Sequence, residues 1–175
     1  MTTGTEGTTQ PEPARPGLTS HAFDGVPVPD FADVQVVALR GATGVPADAW
    51  VHAIFDRRSV PVWVRALFVL RAAVVPLLGL RQSRERAAEP FRVREVLDGE
   101  ALVVTDERHL LFRLGVAADD HAGLLRATTV VQHHGWRGRV YFVPVGILHG
   151  PVLRSMMTRA VARAARGNLR GDRHV

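Results

Sequence analysis

The eight histidines are the first place to look for chemistry, and His133, His134 and His149 are their closest grouping. Neighbouring residues on a strand point to opposite faces, so His133 and His134 cannot easily ligate one ion. Neither an H-x-H nor an H-E-x-x-H spacing occurs. The chain has no cysteine, which excludes thiolate metal sites, thiol nucleophiles and a disulfide-stapled secreted fold. Serines 20, 59, 83 and 155 lie in no nucleophile-elbow motif. We therefore expect no metal and assign no catalytic residue.

A second candidate is Gly41-Ala42-Thr43-Gly44, which follows the apolar run Val34 to Leu39. It resembles the phosphate turn of extended short-chain dehydrogenases, with Ala47 where a third glycine would fall. A dinucleotide fold also needs repeated βα units and an acidic residue after its second strand. This chain offers two helices instead, so the expectation is an ordinary turn and no cofactor.

The elements that would position a site are read from periodicity. Four alternating stretches fill residues 91–145: FRVREVL, EALVVTD, RHLLFRLGVA and LLRATTVVQHHGWRGRVYFVPV, the last read as two strands around a turn. Leu110, Phe112, Leu114 and Val116 share one face, as do Leu125, Ala127, Thr129, Val131 and His133, and both sets are expected to point inward. His109 and Arg113 fall on the opposite, solvent- or partner-facing side. Asp98-Gly99 signals a two-residue hairpin, and polar turns elsewhere imply an antiparallel meander. With Val34 to Leu39, six strands are counted.

Two helices are expected between the first and second strands. One runs from Ala47 to Arg57, with Trp50, Ala53 and Ile54 at helical spacing. Pro61 opens the other, across residues 60–80. That stretch is long enough to span a bilayer, but Arg65 and Arg71 would each cost about 2.5–3.5 kcal/mol at its centre, so no transmembrane segment is expected. A final helix at 148–166 repeats Val152/Leu153, Met156/Met157, Ala160/Val161 and Ala164 on one side, with arginines on the other. Gly167 and Asn168 would cap it.

At 175 residues the chain suits one domain. Residues 1–20 are Thr-, Gly- and Pro-rich with one leucine and are expected to be disordered. Residues 21–167 form the domain and 168–175 a basic tail. All 22 basic residues are arginine. Six of them lie in residues 151–175 against the single acid Asp172, which accounts for the net charge of +5. No aromatic platform accompanies them, so a nucleic-acid partner is not expected. Nothing after Met1 resembles an export signal, and a cytoplasmic location is expected.

The order strand, two helices, antiparallel meander, long C-terminal helix is similar to the helix-grip fold, an α+β architecture in which a sheet wraps the last helix around a cavity. Asp106 to Arg113 (DERHLLFR), Thr128 to Val131 followed by His133-His134, Gly138 to Phe142 (GRVYF), Pro61-x-Trp63-Val64 and Leu70-Arg71 resemble the bacterial family known as domain of unknown function 2867. The resemblance covers roughly residues 30–165. It implies kinship with START-like polyketide cyclases and lipid-transfer proteins but no assigned activity. Leu111 stands where an acidic residue is expected, and six strands stand where the helix-grip pattern has seven.

The leading expectation is a protein that binds a small hydrophobic molecule in a cavity lined by Trp63, Phe68, Phe91, Phe112, Val131, Phe142 and Met157. His133 and Tyr141 are its expected polar anchors, brought together if the strands around 133 and 141 pair and both side chains point inward. A core role for His133 and an outward-facing Tyr141 are the alternatives. A cyclase- or hydratase-type enzyme acting on a similar ligand, and an interaction module with a filled core, are the other functional readings.

Overall fold

The computed structural model describes residues 19–65, 91–107 and 110–167. Phe68, His109, most of the expected second helix, the N-terminal tail to residue 18 and the tail from 168 lie outside the described residues.

Five strands are described: β1 (Phe31–Ala38), β2 (Val93–Leu97), β3 (Glu100–Asp106), β4 (Leu110–Asp119) and β5 (Leu124–His133). They form one antiparallel sheet in the order β1-β5-β4-β3-β2. The β2–β3 turn has positive φ at both central residues, Asp98 at 47° and Gly99 at 78°, as a two-residue hairpin of this twist requires. Helix α1 (Ala47–Phe55) follows β1, and residues 62–65 are helical after Pro61. The chain is thus α+β, with a long C-terminal helix, α2 (Trp136–Ala164), packed against the sheet.

The two inward faces read from alternation are the buried ones. Phe112, Leu114 and Val116 of β4 and Leu125 and Ala127 of β5 meet Trp50 and Ile54 of α1 and Leu153, Met156, Met157, Ala160 and Val161 of α2 in the main core. Arg163 fastens the far end, donating to Asp56 Oδ2 and Ser59 Oγ at 2.9 Å each, while Ser59 Oγ donates to Ala53 O.

Two expectations are corrected. Residues 139–145 are not a strand: α2 begins at Trp136, twelve residues before the expected helix start, and the described sheet has five strands rather than six. Val140, Tyr141, Phe142, Val143 and Val145 favour strands locally, and Pro144 and Gly146 disfavour a helix, but the burial gained along one side of α2 outweighs propensity. The other side of the sheet is not simply solvated either. The short 3-10 turn His21–Phe23 lies over it, packing Ala22 and Val26 on Leu102 and Val130, and Arg113 Nη2 donates to His21 O at 2.9 Å.

Candidate functional site

The site forms where three chain segments converge at one end of the sheet. Asp30 N–H donates to Val131 O at 3.0 Å, extending the β1–β5 pairing, and Phe31 sits opposite Val131. His133 ends β5, so it stands just past this paired edge. Only His134 and Gly135 separate it from α2, and Gly135, at φ 92°, makes the sharp change of direction. The first turns of α2 therefore pass directly over the end of β5.

Packing there is aromatic. The Phe142 ring meets the rings of Phe31 and His133 edge-on, both at 4.9 Å between centroids, and Phe31 meets His149 at 5.6 Å. A row His133–Phe142–Phe31–His149 results. Gly146 lets it close: a Cβ there would lie 3.2 Å from the Phe142 ring. Beside the row is a cleft of about 450 Å³ lined by Asp30, Phe31, His133, Arg139, Phe142, Val143, Gly146 and Ile147.

Asp30 is the charged fixture of this cleft. Its Oδ2 accepts the His133 N–H at 2.7 Å, and its Oδ1 lies 3.5 Å from Arg139 Nη2. The His133 amide, aided by the nearby imidazole and the Arg139 guanidinium, holds this carboxyl below its usual pKa against the effect of burial. The His133 side chain is only 7% exposed, and its Nδ1 is 3.6 Å from Asp30 Oδ2, beyond a hydrogen bond. Neither ring nitrogen has a hydrogen-bond partner among the described residues. At the other end of the row, His149 Nε2 is 3.0 Å from Thr129 Oγ1 and 3.9 Å from Asp33 Oδ2. Burial pushes the His149 pKa down, with Asp33 opposing.

Of the residues expected to line a cavity, His133 and Phe142 come together here. Val131 is buried beside Phe31 in the β1–β5 pairing. Phe91, Phe112 and Met157 belong to the main core instead, Phe91 stacked on Phe55 at 3.6 Å and edge-on to Phe112. Trp63 is nearly half exposed. Tyr141 is carried by α2, so the expected strand pairing of 133 with 141 does not exist, and it is Phe142 that reaches His133. Asp30, Phe31, Arg139, Val143, Gly146 and Ile147 were not anticipated. The spacing of Phe142, His149, Leu153, Met156 and Ala160 carries the helical period that would have revealed the α2 residues.

Among the described residues no cluster of three His, Asp or Glu side chains could hold a metal ion. In the Gly41–Gly44 turn, the Gly44 N–H donates to Asp120 Oδ2 at 2.8 Å, so this amide is already engaged by a carboxylate.

The profile of a family described as a protein of unknown function, DUF2867, matches residues 26–156. No curated protein and no solved structure matches the chain.

Proposed function

The chain belongs to the DUF2867 family, and we propose that it binds a small, largely apolar molecule in the cleft between the β1–β5 edge and the start of α2. One observation carries this reading: a buried imidazole, His133, without a hydrogen-bond partner among the described residues, in the wall of an otherwise mostly apolar cleft. A buried polar group left unpaired costs about 1–3 kcal/mol, a debt that a ligand hydroxyl or carbonyl would cancel. The cleft is open to solvent, with Val143 and Ile147 exposed at its rim, so a ligand could enter without rearrangement of the fold. Phe31, Phe142, Val143 and Ile147 would hold the apolar body, His133 one oxygen, and Arg139 the mouth. The similarity of the element order to the helix-grip fold supports ligand binding as the general role.

A second reading is favoured by Asp30. Its carboxylate lies 3.6 Å from His133 Nδ1, close to the arrangement in which an aspartate orients a general-base imidazole, and such bonds often tighten only when substrate is present. This would be a cyclase- or hydratase-type enzyme using the same cleft.

The test is calorimetry with 4-propylphenol and propylbenzene as matched probes, together with NMR of the His133 ring nitrogens. The phenol should bind more tightly than the hydrocarbon and shift the His133 signals, and His133→Leu should abolish that preference while the melting temperature is retained. Equal binding of the two probes, or a His133→Leu variant that loses stability but not affinity, rejects the anchor. Turnover of a ligand that depends on Asp30 would favour the enzyme.

A further inference from the structure

The first half of α2 presents Trp136, Val140, Val143 and Ile147, each more than half exposed. Their spacing of four, three and four places them on one side of the helix, a continuous apolar stripe facing solvent. The second half of the same helix is different: Leu153, Met156, Met157, Ala160 and Val161 are buried in the main core.

We propose that this stripe docks on an anionic lipid surface, with α2 lying in the plane of the interface. Three features select this occupant. The helix carries no acidic residue, and of its five arginines, at 137, 139, 154, 159 and 163, the last is held by Asp56 and Ser59 and takes no part in docking. Arg139 lies one turn before Val143, and Arg154 follows Ile147 by two turns, so one cationic position accompanies the stripe and another lies beyond its end on the same side. Trp136 stands at the end of the stripe, and tryptophan favours the headgroup level. This is the composition of an interfacial amphipathic helix.

The other arrangements fit less well. Gly138–Ala164 is long and apolar enough to cross a bilayer by length and composition, but crossing would pull the 153–161 half out of the core. A second copy packed stripe to stripe would bring together two like-charged helix faces, on which Arg139 has only Asp30, at 3.5 Å, as a counter-charge. Anionic headgroups supply further counter-charge, at about 1 kcal/mol for each arginine near the surface. Val143 and Ile147 border the cleft as well as the stripe, whereas Trp136 and Val140 do not line it, so substitutions at 136 and 140 test docking without touching the ligand site.

The experiment is flotation of the full chain with vesicles of phosphatidylglycerol and phosphatidylcholine, and with vesicles of phosphatidylcholine alone. The wild type should float with the anionic vesicles and much less with the neutral ones, and raised salt should weaken it. Val140→Asp should reduce binding about tenfold, set by loss of a buried valine and insertion of a charge. Tryptophan quenching by acyl-brominated lipid should fall in Trp136→Phe. Circular dichroism establishes that the variants fold, and propylphenol binding in solution should be unchanged in both. Failure of the wild type to float, flotation unaffected by Val140→Asp and quenching unaffected by Trp136→Phe, or a stable dimer that Val140→Asp dissociates, overturns the proposal.

Discussion

Gly115 stands directly against Glu100: a Cβ at position 115 would lie 2.4 Å from Glu100 Oε1 and 2.8 Å from Ser20 Oγ. The glycine makes the space in which a buried carboxylate reaches across the sheet, accepting from Ser20 Oγ at 2.8 Å and from the His21 N–H at 2.7 Å. Gly115→Ala should therefore displace Glu100 or the 3-10 turn and cost about 1–3 kcal/mol. Urea denaturation measures this, and an unchanged midpoint would show that the turn yields without penalty.

Glu100 is also the partner of Arg126, whose Nη2 is 3.3 Å from its Oε1. The Glu100 side chain is almost wholly buried and that of Arg126 largely so. Glu100→Ala would leave the guanidinium and the Ser20 and His21 donors without this acceptor. Removing one member of such a pair costs about 3–5 kcal/mol. Amide exchange around Ala22 and Val26 should accelerate more than exchange in β4 and β5. Uniform acceleration would mean that Glu100 supports the whole sheet rather than the N-terminal segment.

The sheet was legible because its signals are local. Phe112, Leu114 and Val116 recur at every second position and share one face, Asp98-Gly99 is a turn that needs positive φ, and both survive in the fold. The second half of α2 was legible for the same reason. Its first half was not, because YFVPVG reads as a strand when taken alone and becomes helical through contacts with Phe31 and the end of β5. The candidate site inherits that error. His133 and Phe142 could be picked out as a polar end and an apolar neighbour, but Asp30 and Arg139 meet only through the β1–β5 register and the start of α2.

Asp30 should be visible in acid denaturation. Its carboxyl titrates below the usual 3.8 when folded, chiefly because of the His133 N–H. A depressed carboxyl contributes stability that is full above the unfolded pKa and is lost as pH falls through the folded one. Asp30→Asn should thus reduce the loss of stability between about pH 5 and about pH 3, with the neutral-pH value lowered. Parallel curves for the two proteins across that range would show that Asp30 is not coupled to folding.

His149 acts in the same sense at higher pH. Burial lowers its pKa from 6.5, and Asp33 at 3.9 Å only partly opposes this. The unfolded chain therefore takes up a proton at this residue before the folded one does. The stability that a neutral His149 contributes is complete above pH 6.5 and falls as pH drops from there to the folded pKa, below which the loss is constant. His21 works in the other sense, since its hydrogen bonds to Asp24 and Asp98 raise its pKa, so its contribution is present below 6.5 and lost as pH rises through the folded value. The two effects are separated by His149→Gln, which keeps a polar group near Thr129 Oγ1 without a titrating ring. Relative to wild type, this variant should lose less stability on acidification from about pH 7 to about pH 5. Denaturation curves across that interval measure it, and an NMR titration placing the His149 pKa at or above 6.5 would remove the basis for the expectation.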